Sequence, residues 1–295
     1  MKETECIFPI SLLEEVYTLI NKQGITVLRY KDLEKSGLRH PSKYRYIDEY
    51  IKFSYGNVTP ITAIKALLKL VSVRKPNLPF AGLISQKLIR NTKKPVIIMQ
   101  HDADNIPSRT LDVMKLEKKS NILSSSYFFV EHAEGKDYFY DKKELRDLEA
   151  DGFEIGYHLN AYERAEYNLK TANKLVEQDI EQLKLDFNIT SYVPHGGISS
   201  KDGLNNHDYP QVGVLNDLLW AYNGSCILKE YTWSDGGIRT NKFTPIDPRV
   251  FIKRLKDDTR AVMLIHPQYY GEKLRPDWQT LDISKKKWWR DLWGL

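Results

Sequence analysis

Val96-Ile97-Ile98-Met99-Gln100-His101-Asp102-Ala103-Asp104 runs from aliphatic residues into a histidine and two aspartates. A short, continuous aliphatic run of this kind reads as a strand buried on both faces, as in parallel sheets. Three further segments end an apolar run the same way: Phe153-Glu154-Ile155-Gly156-Tyr157-His158, Tyr192-Val193-Pro194-His195-Gly196-Gly197 and Val262-Met263-Leu264-Ile265-His266-Pro267. In α/β barrels the residues just past the C-terminal ends of the strands face the active site. Four of the chain's seven histidines stand at such ends, with Asp102 and Asp104 beside the first.

Outward from these segments, the chain from Pro95 alternates strand-like and helix-like pieces. Val96–Gln100 leads to a helix opening at Pro107 and running to about Lys119, since proline suits a first helical turn. Ser126–Val130 is the second strand. Asp141 and Glu144 then form an N-cap with its capping-box glutamate for a helix that stops at Gly152. Phe153–Tyr157 is the third strand, and apolar residues at helical spacing predict one long helix from about Glu163 to Asp186. Ile189–Val193, Tyr231–Trp233 and Ala261–Ile265 complete six strands, and Asp247 with Pro248 opens a helix before the last of them. Repeated βα alternation implies parallel strands with right-handed crossovers. Histidines on several different strands favour a barrel, which gathers all its strand ends on one rim, over a doubly wound sheet.

Residues 1–94 read differently: a helix at Ser11–Gln23, a short strand Ile25–Leu28, a helical stretch around Thr62–Val73, and an aromatic cluster of Tyr44, Tyr46, Tyr50, Phe53 and Tyr55. The expected organisation is therefore a basic, mainly helical extension over 1–94 packing on a barrel over 95–295. The net charge of +5 conceals an asymmetry: Lys and Arg number 17 against 8 acidic residues in 1–94, but 27 against 31 in the remainder. A solvated basic face explains this, as does contact with phosphate groups, an anionic membrane surface or an acidic partner. No glycine-rich phosphate loop, zinc knuckle or RNA-binding aromatic motif points to nucleic acid.

Over 295 residues the mean hydropathy is −0.50. No apolar run approaches the ~20 residues of a membrane span, and residues 1–6 carry no basic-then-apolar leader pattern. Cys6 and Cys226 make no disulfide framework, which fits a reducing compartment. The expected location is cytoplasmic.

A metal hydrolase needs about three protein ligands, an open position, and a separate base and acid. Asp104, His158 and one further histidine make an oxygen and nitrogen donor set suited to zinc and tolerable for cobalt, nickel or manganese. Asp102 is then free as the base, and His266 as the proton donor to the leaving group. Each residue also has a structural reading. A strand-end histidine can simply be hydrogen-bonded, Asp102 or Asp104 can cap the helix at Pro107, and His40, His132 and His207 lie in polar segments that suit solvation.

The motifs together resemble the polysaccharide deacetylases of carbohydrate esterase family four, in the divergent branch whose first motif reads His-Asp-x-Asp. The matching pieces, in the family's order, are His101-Asp102-Ala103-Asp104, Glu154-Ile155-Gly156-Tyr157-His158, Pro194-His195-Gly196, Ser234-Asp235-Gly236-Gly237 and Ile265-His266-Pro267-Gln268-Tyr269-Tyr270, covering about Pro95 to Tyr270. The resemblance implies a distorted (β/α)7 barrel and metal-dependent removal of an acyl group from an amino sugar. It makes Asp102 the base, Asp104 and His158 metal ligands, and His266 the general acid. Typical members carry a second motif histidine four residues after the first, where this chain has Tyr162. His195 either replaces that ligand, or orients substrate or stabilises the oxyanion. Asp235 either tunes His266, binds a sugar hydroxyl or belongs to a turn.

The expected function is hydrolysis of an amide C–N bond, releasing acetyl or formyl from an amino sugar in a polysaccharide or its nucleotide- or lipid-linked precursor. The alternative is an inactive saccharide-binding protein on the same fold. Lys285-Lys286-Lys287-Trp288-Trp289-Arg290-Asp291-Leu292-Trp293 adds a basic, tryptophan-rich segment suited to peripheral contact with the inner membrane face or to packing on the barrel.

Overall fold

The computed structural model describes residues 6–34, 94–197, 199–210, 212–221, 231–236, 247–257 and 260–273. The expected helix at Thr62–Val73, the aromatic cluster of residues 44–55, His40, Cys226 and the segment 285–295 lie outside them.

The architecture is mixed α/β, built on a parallel sheet curled into a half-barrel. The chain opens with β1 (Phe8–Pro9), α1 (Ile10–Gln23), β2 (Thr26–Leu28) and α2 (Tyr30–Glu34). β3 (Val96–Ala103) follows, then α3 (Pro107–Lys119), β4 (Ser125–Phe128), α4 (Lys142–Ala150) and β5 (Glu154–Leu159). Next come α5 (Ala161–Arg164), α6 (Leu169–Lys184), β6 (Ser191–Pro194) and β7 (Leu219–Trp220). β8 (Tyr231–Ser234), α7 (Pro248–Arg254), β9 (Arg260–Ile265) and β10 (Tyr270–Gly271) complete the described elements.

Seven strands lie in the order β7-β6-β5-β4-β3-β9-β8, each parallel to its neighbours. Read from β8, that order is the chain order cyclically permuted. β2 pairs with the first half of β3, Thr26 opposite Val96, while β4 pairs with its second half, Gln100 opposite Ser125. β1 and β10 form a separate parallel pair.

All six expected strands and the capped helices are present. Asp141 accepts from the Glu144 amide at 3.0 Å, as the capping pattern requires. Three readings are corrected. β3 extends past Gln100 to Ala103 because β4 supplies ladder partners that far. The helix expected over 163–186 is two, α5 and α6, because Glu166 and Tyr167 adopt positive φ (48° and 64°). Asn168 then caps α6 by accepting from the Thr171 amide. Finally, β7 was too short to register as an apolar run.

Side chains alternate strictly between the two sheet faces. The outer face packs against helices in two clusters, one around Phe128, Ile155, Tyr157, Tyr192 and α6, the other around Ile97, Met99, Met263, Ile265 and α1. The concave face holds Tyr30, Val96, Ile98, Tyr127, Val193 and Val262. Gly156 sits opposite Tyr127 in the ladder, and a Cβ there would collide with the Tyr127 ring. Glycine at 156 thus lets that ring cross the interior.

Candidate metal centre

Along β3, Val96 and Ile98 face the interior, so Gln100, Asp102 and Asp104 face it too. The same parity carries His158 from β5, His195 from the residue after β6, and His266 from the residue after β9. All arrive on one rim. His101 has the opposite parity and points into the helix layer, its Nδ1 3.0 Å from Ser126 Oγ and its Nε2 3.1 Å from Glu117 Oε1. Of the four strand-end histidines, His101 alone takes no part in the centre.

Asp104, His158 and His195 lie close enough to hold a metal ion, their ligand atoms all within 4.8 Å of one another. His158 Nε2 is 3.1 Å from Asp104 Oδ1, and His195 Nε2 is 3.8 Å from the same oxygen. His158 is fixed from three sides. Its Nδ1 donates to the Val193 carbonyl at 2.9 Å, its ring stacks on Phe129 at 4.7 Å and 4°, and its other nitrogen is thereby aimed at Asp104. Asp104 is steadied through its second oxygen, which accepts from Gln268 Nε2 at 3.2 Å. Gln268 in turn accepts from the Asn105 amide.

The remaining expected residues flank this cluster. Asp102 Oδ2 lies 4.0 Å from His158 Nε2, while Oδ1 accepts from Gln100 Nε2 at 2.8 Å. Gln100 is itself held by the Tyr30 hydroxyl at 2.9 Å. Asp235, fully buried, accepts from the His266 amide and from its Nδ1, the latter at 2.5 Å. That leaves His266 Nε2 3.8 Å from Asp104 Oδ2. Tyr162 is absent from the centre, since its ring packs in the outer core against Tyr167 and Tyr209.

The electrostatics follow from this crowding of three carboxylates, Asp102, Asp104 and Asp235, among three imidazoles. Burial pushes the Asp104 carboxyl up, but the His158 hydrogen bond and the charges of His266, His195 and His158 outweigh it and hold the group far below the usual carboxylate range. Burial favours neutral His158, yet Asp102 and Asp104 raise it above its ordinary value. Burial likewise opposes charge on His266, but Asp235, with Asp104 and Asp102 behind it, raises that imidazole to about 10. His266 is therefore protonated at neutral pH. The same carboxylates that raise His158 also attract a divalent cation, which would sit between its Nε2 and Asp104.

Several supporting residues carried no sequence signal of their own. Phe129 was legible only through strand parity. Tyr30, Gln268, Glu163 and Asn206 matter through contacts made far along the chain, and Gln100 links distant Tyr30 to its near neighbour Asp102. His132 is a correction: it is largely buried rather than solvated, its Nε2 3.1 Å from Asn105 Oδ1 and its ring edge-on to Phe129. His207 is half-buried within a single 3₁₀ turn.

Tyr30 links the N-terminal segment to the site. Tyr30→Phe is expected to leave Gln100 Oε1 buried without that donor and to cost about 1–3 kcal/mol in urea unfolding. Unchanged stability would show that the Tyr30–Gln100 bond does not support Asp102.

Among the described residues no helix is long and apolar enough to cross a membrane. No family model, curated protein or solved structure matches this chain.

Proposed function

We propose that this protein is a metal-dependent hydrolase of the polysaccharide deacetylase type, cleaving the amide that carries an acetyl or formyl group on an amino sugar. The observation that carries the reading is the convergence on one rim of a ligand triad, Asp104, His158 and His195, with a flanking carboxylate, Asp102, and a buried Asp235–His266 pair. The cyclically ordered seven strands support a distorted (β/α)7 barrel. The sugar, in a polysaccharide or a nucleotide- or lipid-linked precursor, is proposed on the motif resemblance.

The donor set fits the metal. One carboxylate oxygen and two imidazole nitrogens are the borderline ligands that zinc prefers and that cobalt, nickel or manganese accept. His158 has its Nδ1 committed to a backbone carbonyl, which presents Nε2 as the ligand atom. The chemistry that a divalent ion supplies in such a centre is Lewis acidity, which polarises a carbonyl and lowers the pKa of water from ~15.7 toward about 7. Asp102, held by Gln100 through one oxygen, keeps the other toward the rim to take a proton from the attacking water. His266 holds a proton on Nε2 for the departing amine, and Asp235 stabilises that imidazolium through Nδ1. Phe129 and Tyr138 close the floor, the Tyr138 hydroxyl donating to the Ala103 carbonyl beneath Asp104.

The test is the metal content of chelator-treated, reloaded protein by mass spectrometry, followed by a screen of N-acetylated and N-formylated amino sugars. About one zinc or cobalt per chain, lost in both His158→Ala and His195→Ala, is expected. A folded wild type that takes up no metal would overturn the reading in favour of a saccharide-binding protein.

A further inference from the structure

His158 and His195 are aimed at the centre by different means. His158 is held by a backbone carbonyl and an aromatic stack, whereas His195 Nδ1 faces a carboxylate, Glu163 Oε2, at 3.3 Å. Glu163 comes from α5, the turn that also carries Tyr162 into the outer core. We propose that Glu163 is the positioning residue that makes His195 a metal ligand, and that Asn206 and Gly197 exist at their positions to hold that carboxylate in place. The proposal rests on the metal-centre reading above.

Three observations carry it. First, the contact sets the tautomer: with Nδ1–H donating to Glu163, the lone pair of His195 lies on Nε2, the atom 3.8 Å from Asp104 Oδ1. An anionic acceptor also makes the imidazole a stronger donor to a cation than a carbonyl does. Second, Glu163 is itself clamped. Asn206, fully buried, donates from Nδ2 both to Glu163 Oε2 and to the His195 carbonyl, each at 3.2 Å, and accepts from the Glu163 amide at 3.0 Å. One side chain thus ties the turn bearing the carboxylate to the loop bearing the histidine. Third, a Cβ at Gly197 would overlap the Glu163 carboxylate, so a side chain there excludes the observed position. His195 is also 23% exposed, against 0% for His158, so packing restrains its ring less and the hydrogen bond matters more.

The experiment is calorimetric titration of metal-free protein with zinc ion, with thermal unfolding of each variant alongside. Glu163→Gln keeps the shape and removes the charge, and is expected to weaken zinc binding by about 10- to 100-fold. Gly197→Ala retains the carboxylate but displaces it, and should weaken binding in the same direction. The displaced contact should also change the visible absorption of the cobalt-loaded protein. A purely structural role for Glu163 would lower the melting temperature and leave the zinc affinity of the folded protein unchanged. Wild-type affinity in folded Glu163→Gln, alongside lost binding in His195→Ala, overturns the proposal and leaves the metal-centre reading standing. Unimpaired binding in His195→Ala, or no zinc binding by wild type, overturns the metal-centre reading and this proposal with it. Should Glu163→Gln fail to fold, Gly197→Ala decides alone, wild-type affinity overturning the proposal.

Discussion

Asp104→Asn is expected to bind zinc or cobalt more than about a hundredfold more weakly than wild type, exceeding what the loss of an outer hydrogen-bond partner costs. Among the described residues, Asp104 is the one that meets every imidazole of the centre: His158 and His195 through Oδ1, and His266 through Oδ2. Asparagine keeps the volume and can still accept from Gln268, so the β3–α3 connection should hold its course. What is lost is the negative charge that offsets three histidines. Hydrolysis should fall with metal occupancy and should not recover at saturating zinc, because one ligand position is then a neutral amide. Circular dichroism and metal titration on the same sample separate this outcome from unfolding. A folded Asp104→Asn protein with wild-type metal affinity would remove Asp104 from the ligand set.

Asp235→Asn is expected to act on the proton rather than on the metal. With Asp235 in place, His266 is raised to about 10 and carries its proton through neutral pH. The sign follows directly. Activity that needs protonated His266 is present below that value and is lost as pH rises through it. Removing the carboxylate charge takes away the largest of the contributions that raise His266 against burial, so the imidazole titrates lower and the alkaline limb of the pH–rate profile moves to lower pH. Loss of general-acid assistance is worth roughly 10²–10⁴-fold at pH values where the ring has become neutral. Stability follows the same sign. A folded-state pKa above the ordinary ~6.5 stabilises fully below that value, and the contribution fades between there and about 10. The His266 ring, followed by NMR, should titrate lower in Asp235→Asn than in wild type. An unchanged titration would show that the 2.5 Å contact does not set the protonation of His266.

The strands were legible because burial on both faces demands unbroken aliphatic runs, and those runs stand out in Val96–Met99 and Val262–Ile265. Caps were legible because they obey local chemistry, as at Asp141 and at Asp247, whose side chain accepts from the Arg249 amide. The break between α5 and α6 was not, since the apolar spacing continues across it and only the backbone turn at Glu166 and Tyr167 interrupts the helix. His101 shows a second limit. Its motif places it beside Asp102 and Asp104, yet strand alternation places it among Ser126, Ser124 and Glu117 on the far side of the sheet.

By itself, then, the sequence determined the parallel βα alternation, the strand ends that bear the chemistry, and the residue types available there, because each depends on local composition and on a period of two. The tertiary structure alone decided which of those residues meet. Curling the sheet brings Asp104, His158, His195 and His266 onto one rim from the ends of four strands, β3, β5, β6 and β9. It likewise recruits partners whose sequence distance hides them: Gln268 at Asp104, Glu163 at His195, and Tyr30 behind Gln100 and Asp102. The physical reason is that a hydrogen bond constrains separation in space and leaves separation along the chain free, so only the closure of the sheet can choose among the candidates that the strand ends present.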